Sequence, residues 1–260
     1  MSTVAYPAPD RIVLGRVPVD PVTQSQALDT IARLIETRTG GTVFTPNVDH
    51  FVIAEHDERF RAAYAATRLS LVDGTPVLWA LRMLGHCVPA KVSGSDLAAP
   101  LMGMAAEKGW RVYFLGAGPG VGEIAAERLR RRHPQLQVVG IDAPLVDMTR
   151  PAEERREILE RCRAASPDLV LVALGTPKGE LLAHEICEPL APAVVMGVGA
   201  SLDFIAGTVP RAPAWMSRMG VEWLFRLFRE PRRLWRRYLV RDPEFGLIVL
   251  RDWRRHGTRS

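Results

Sequence analysis

Asp73 ends the apolar run Leu69-Ser-Leu-Val72 and is followed directly by Gly74. A carboxylate at the end of a buried strand loses part of its water, which raises its pKa and makes it a better general base. An Asp-Gly pair is equally ordinary turn chemistry, and spacing alone leaves the two readings level. Thr45, Pro46 and Asn47 hold the corresponding place after another apolar run. A hydroxyl and an amide there could orient the hydroxyls or a carbonyl of a ligand, while Asn47 also fits as the cap of the helix that follows, the better match to spacing alone.

Two glycine-bearing turns end further runs. Gly116-Ala-Gly118-Pro-Gly120-Val-Gly122 leads into a helix N-terminus, where free amides and the helix dipole favour phosphate. Position 121 is Val, so this is not the Gly-x-Gly-x-x-Gly dinucleotide fingerprint, and Gly116 and Gly118 are candidates for a nucleotide or phosphate contact only. In Gly175-Thr-Pro-Lys178-Gly-Glu180, Lys178 is one of three lysines in a chain that otherwise uses Arg. Together with Lys91 it could place positive charge near a diphosphate, or it is a solvated loop residue. Glu180 belongs to the same candidate binding turn.

For these residues to meet, Thr42–Asn47, Leu69–Gly74, Val112–Gly116 and Leu169–Gly175 must be parallel strands with their carboxyl ends along one edge. The remaining pattern agrees. Helices are predicted over 25–37, 48–66 (one or two), 76–84, 97–108, 121–132, 152–165 and 179–190, with further strands at 137–141 and 193–198. Such alternation predicts an α/β fold, a Rossmann-like parallel sheet with helices on both faces. Residues 1–22 are Pro-rich and are expected to wrap the surface.

The chain has 260 residues, 47% hydrophobic and 24% charged, the balance of a globular protein. Cys87, Cys162 and Cys187 form no Cys-x-x-Cys and are expected to be buried reduced thiols. The six histidines show no metal-ligand spacing and there is no Asp-x-Asp pair, so a metal-free mechanism and no cofactor are expected. No apolar run of about 18 residues occurs and the start shows no basic-then-apolar pattern, so a cytoplasmic protein is expected.

The net charge of +5 is unevenly spread: residues 211–260 carry thirteen Arg against five acids. Leu224, Leu227, Phe228, Leu234, Trp235, Tyr238 and Leu239 recur there at helical spacing among the arginines, and Pro231 should split the stretch into two short helices. We read 1–207 as the core and 208–260 as a basic amphipathic appendage. Nucleic-acid binding, membrane-surface binding and a simple solvated face are its three readings; its aromatics share a stripe with Leu and form no exposed stacking ladder, which favours packing or lipid over nucleic acid. At about 1 kcal/mol per Arg near an anionic bilayer, four would give roughly 4 kcal/mol of salt-sensitive attraction.

TPNVDHFVIA, LVDGTPV, KVSGSDL, VYFLGAGPG, LVALGTPKGE, GVGASLDFIAGTVPRAPAWM and GVEWLFRLFREPRRLWRRYL, in this order over roughly residues 10 to 250, resemble the WecG/TagA/CpsF glycosyltransferase family. The resemblance implies inverting transfer of a hexose from a UDP-sugar to a sugar on a polyprenyl diphosphate lipid. The hexose is often N-acetylmannosamine or its uronic acid, and in some relatives glucose for exopolysaccharide. It implies Asp73 as catalytic base, with Thr45 and Asn47 in the active site. It also implies a tail whose arginines help bind the lipid diphosphate and close the site at the inner face of the cell membrane, and a core that can self-associate.

Arg211, Arg232, Arg233, Arg236 and Arg237 are the expected diphosphate contacts, with Lys91. Two positions depart from the family pattern: Lys91 stands where Arg is expected and Gly179 where Gln is expected. The competing readings are an NAD(P)-dependent Rossmann oxidoreductase using the glycine loop, and a non-enzymatic membrane or nucleic-acid adaptor driven by the tail.

Overall fold

The computed structural model describes residues 10–213, 216, 219 and 221–257. Residues 1–9 of the Pro-rich segment, and Ala214 and Trp215 of the RAPAW stretch, lie outside it. Strand β1 (Ile12–Leu14) pairs antiparallel with β2 (Val17–Val19). Leu14, Val17 and Val19 are fully buried, so this region is a core-sealing hairpin where a surface wrap was expected. The period-two alternation in Val17-Pro-Val19 was its signal.

Helix α1 (Gln24–Glu36) starts from a capping box between Thr23 and Gln26. Then come β3 (Gly41–Phe44), α2 (Val48–His56), α3 (Glu58–Ala65), β4 (Leu69–Ser70), α4 (Thr75–Met83) and α5 (Gly94–Lys108). The 48–66 stretch is two helices because Asp57 both ends α2 and caps α3. Next are β5 (Arg111–Gly116), α6 (Val121–Arg132), β6 (Gln137–Asp142), α7 (Arg156–Ala164, preceded by a 3-10 turn), β7 (Leu169–Ala173), α8 (Lys178–Cys187), β8 (Val194–Gly197) and α9 (Ser201–Ala206).

Strands β3 to β8 form one six-stranded, all-parallel sheet in the order β4-β3-β8-β7-β5-β6. Successive residues of a strand enter different cores, Val43 one and Phe44 the other. One face buries α2, α3, α4, α7 and α8, and the other buries α1, α5, α6 and α9. This is the Rossmann-like α/β architecture expected of the alternation.

After β3 the chain turns onto the first face and after the adjacent β8 onto the second; β7 and β5 diverge in the same manner. Each divergence opens a crevice at the carboxyl edge of the sheet. The C-terminal stretch contains α10 (Glu222–Arg229), α11 (Pro231–Arg236), a π-helical turn over Arg237–Arg241 and α12 (Glu244–Gly257). Pro231 begins α11, as its fixed φ permits at a helix start. In α12, Phe245, Ile248 and Val249 are buried in the first core, and Asp252 accepts a hydrogen bond from the Gly15 amide at 2.6 Å. Of the cysteines, Cys162 is buried and Cys187 half-buried, but Cys87 is exposed, against expectation, because it lies in the loop beyond α4.

Candidate active site

Asp73 lies at the carboxyl edge beyond β4, where its amide donates to the Pro46 carbonyl at 3.1 Å. Gly74, at φ +86°, turns the chain sharply into α4, with Pro76 in that helix's first turn. One bond thus ties the Asp73 turn to Thr45-Pro46-Asn47. Val92 donates to the Val72 carbonyl at 2.7 Å, bringing the Lys91–Asp96 loop alongside. Asp73 is half-buried, and this loss of water pushes its carboxyl up to about 7. The nearby Lys91 ammonium opposes the rise; Glu222 and Asp96 add to it, and Arg226 lowers it.

Thr45 faces the start of α5. A Cβ on Gly94 would lie 3.3 Å from Thr45 Oγ1 and 3.4 Å from Val198 Cα, so the glycine lets the helix close on the ends of β3 and β8. Ser93 caps that helix through the Asp96 amide. Lys91 pairs with Asp96 at 3.4 Å, and Arg211 reaches the same carboxylate at 3.6 Å while donating to the Ser95 carbonyl. Lys91, Asp96 and Arg211 therefore form one charged margin beside Asp73.

Asn47 caps α2 by accepting from the Asp49 amide at 3.2 Å, and it also accepts from Arg237 Nη2 at 2.8 Å. Beside it the buried Asp49 carboxylate faces Arg237 Nε at 3.2 Å and Arg241 Nη2 at 2.7 Å. Burial raises the Asp49 pKa, and the two guanidiniums act against that rise. Arg237 thus meets side chains of the protein itself.

Glu180 is buried in the first turn of α8, and its carboxyl is pushed by burial up to about 7. His50 is flanked by the Tyr64 hydroxyl at 2.7 Å and the Thr176 hydroxyl at 2.6 Å, with Glu180 Oε1 3.9 Å away. Burial holds the imidazole down at about 3, so it is neutral at ordinary pH. Asp49, His50, Tyr64, Thr176 and Arg241 were not anticipated. The Asp49-His50 pair directly before the apolar run Phe51-Val-Ile-Ala54 was the available signal, because buried polar groups require partners.

The other expected residues are more scattered. Gly116 ends β5 and Gly118 lies in the loop after it, three strand positions from β3 and so roughly 14 Å along the edge. No side chain caps the helix that follows. Lys178 donates to the Val146 carbonyl at 3.0 Å. A Cβ on Gly179 would come 3.0 Å from the Leu174 carbonyl, so the turn is tight where the family pattern has Gln. Arg232 and Arg236 are exposed, Arg236 stacking over Trp235, and the Arg233 side chain lies outside the described residues.

Among the described residues no group of three His, Cys, Asp or Glu is arranged to hold a metal ion. Among them, too, no helix is long and apolar enough to cross a membrane. Trp223, Phe228, Trp235, Leu239 and Val240 nevertheless leave apolar surface exposed amid arginines.

Residues 12–259 match the family described as the Glycosyl transferase WecG/TagA/CpsF family. An N-acetylglucosaminyldiphosphoundecaprenol N-acetyl-beta-D-mannosaminyltransferase of Bacillus spizizenii is 31% identical over 220 residues, covering 85% of this chain and 82% of that protein. The protein of the same description from Bacillus subtilis is 29% identical over 218 residues, covering 84% and 82%.

Proposed function

The chain belongs to the WecG/TagA/CpsF glycosyltransferase family, and from that premise we propose that it moves a hexose from a UDP-sugar to a polyprenyl-diphosphate-linked sugar, inverting the anomeric centre without a metal. N-acetylmannosamine is the first candidate hexose, since two relatives carry it in their names; its uronic acid and glucose are the others. The oxidoreductase and adaptor readings fall away with the family assignment.

The observation that supports this reading best is Asp73: a carboxyl near 7, tied to Thr45-Pro46-Asn47 and bordered by Lys91. In the proposed reaction Asp73 takes the proton of an acceptor hydroxyl as its oxygen bonds to the anomeric carbon. The bond from that carbon to the diphosphate oxygen breaks on the opposite face, and UDP leaves with the electron pair. Protonated Asp73 then returns its proton to water. Thr45 and Asn47 orient the sugars.

Departure of the diphosphate is eased by fixed positive charge, for which Lys91, Arg211 and the arginines around α11 are the candidates. Gly116 and Gly118 offer backbone to the nucleotide portion. The exposed aromatics and arginines of α10 and α11 would hold the protein to the anionic inner face of the membrane, where the acceptor resides. We also propose that the core can self-associate.

A screen of UDP-sugars against a short-chain polyprenyl-diphosphate sugar, with linkage analysis and with and without EDTA, tests the reading. Release of UDP with a new glycosidic bond of opposite anomeric configuration, insensitive to EDTA, is the expected result. Transfer with retention overturns the single-displacement step, and loss of activity in EDTA restored by a divalent ion overturns the metal-free one.

A further inference from the structure

Segment 222–241 lies against the crevice but is held by little apolar burial. Neither α10 nor the Arg237–Arg241 turn contains a buried residue, and Leu234 is the one buried side chain among those described between them. What reaches inward is charge. Arg237 and Arg241 converge on Asp49, whose side chain is 2% exposed.

A carboxylate so buried is costly without a counter-ion, and breaking such a pair from one side leaves the other charge stranded. Glu180 is also buried close by, and it feels Asp49 and Arg237 with opposite sign. Stripped of the two arginines, the crevice would hold two buried acidic groups with no facing cation, a poor setting for a substrate bearing a diphosphate. Glu222 and Arg226 of the same segment also act electrostatically on the Asp73 carboxyl, with opposite sign. Its placement therefore governs both the acceptor's surroundings and the charge around the base.

We propose that Asp49 is the seat on which segment 222–241 closes, and that Arg237 and Arg241 serve this carboxylate rather than a phosphate of the substrate. Asp49 is then a positioning residue. Through Arg237 it fixes the Asn47 side chain, and through the turn as a whole it holds the segment whose charges act on Asp73. Diphosphate binding falls to the arginines outside the clasp. The docking half of this inference stands on geometry alone, and the kinetic half rests on the glycosyl-transfer reading.

Hydrogen exchange on the full-length protein tests docking without any substrate, comparing wild type, Asp49→Asn, Arg241→Ala and the double variant. Each single change should speed exchange of amides in 222–241 at least tenfold while α5 and α6 keep their protection, and the double should be no worse than the worse single. Unchanged exchange in the singles, or additive effects in the double, overturns the seat. If Asp49→Asn fails to fold, Arg241→Glu takes its place: repelled by Asp49, it should open the segment more than Arg241→Ala, and equal effects refute the proposal.

In a transfer assay Asp49→Asn should raise KM for the lipid-linked acceptor at least tenfold with UDP affinity within about twofold of wild type. A lower acceptor KM would mean that arginines released from Asp49 bind phosphate, the reverse of the assignment. Absence of transfer by the wild type would count against the glycosyl-transfer reading and leave the exchange cycle to decide the clasp.

Discussion

The two crevices at the carboxyl edge of the sheet are built from different materials. Between β3 and β8, with β4 beside them, the edge is lined by ionisable side chains displaced from their usual behaviour: Asp73 and Glu180 near 7, His50 near 3, and Asp49 raised. Between β7 and β5 the edge is backbone: Gly116 at φ +104°, Ala117 at +63° and Gly120 at +79°, leading to a helix that no side chain caps. The first crevice is equipped to handle protons, the second to present amides. One fold edge thus divides proton chemistry from anion binding by assigning the first to side chains and the second to main chain.

The largest effect expected from breaking this division is at Asp73. Asp73→Asn keeps the shape and removes the basic site, so kcat should fall about 10²–10⁴-fold. UDP affinity, measured by calorimetry, should stay within about twofold. An Asp73→Asn enzyme with normal turnover would leave the ionisable crevice without its proposed role.

In the backbone crevice the comparable blow is structural. A Cβ at Gly116 would lie 2.7 Å from the Ala173 carbonyl oxygen, on a residue at φ +104°. Gly116→Ala should therefore cost about 2–4 kcal/mol in urea unfolding, because both the clash and the left-handed backbone oppose it. A loss under about 0.5 kcal/mol would show that this turn yields easily.

Much of this was legible in the sequence, for physical reasons. Runs such as Leu169-Val-Leu-Val-Ala173 are apolar on both faces, as buried parallel strands must be, and their ends placed Asp73 and Asn47 on one edge. Pro231 marked the break between two helices because proline disrupts a helix interior but fits a first turn. The clasp was hidden because ion pairs between Asp49 and residues 188 or more positions later leave no periodic trace. Arg237 was expected at a diphosphate with Arg232, Arg233 and Arg236, and nothing in its spacing set it apart from them. The β1–β2 hairpin was missed because Pro18 inside Val17-Pro-Val19 argues against a strand, and it is tolerated only because this is a two-stranded ribbon.

A subtler consequence separates the crevices by pH. Asp73 must be ionised to accept a proton, so kcat/KM should rise about tenfold per pH unit and level off above about 7. Its folded-state pKa lies above the ordinary 3.8, so the folded protein binds the proton more tightly than the unfolded chain. The stability this gives is complete below about 4 and is lost as pH rises through about 7. Asp73→Asn should thus be more stable than wild type at pH 8, by about 1–2 kcal/mol once partial exposure is discounted, and should lose that advantage near pH 4. A stability difference that does not change with pH would contradict the desolvation of this carboxyl.

The smallest expected effect separates conformation from contact within the glycine loop. Gly120 has φ +79°, but no atom lies within 4 Å of where its Cβ would be, whereas Gly116 abuts the neighbouring strand. Gly120→Ala then meets only the left-handed penalty, about 1 kcal/mol, and no clash. If the loop binds phosphate through main-chain amides alone, UDP affinity should change less than about threefold, since a methyl group in open space removes no donor. A tenfold loss of UDP affinity at unchanged fold would mean that the open space above Gly120 is itself occupied by the nucleotide, and the backbone crevice would then be a shaped pocket and not merely a row of donors.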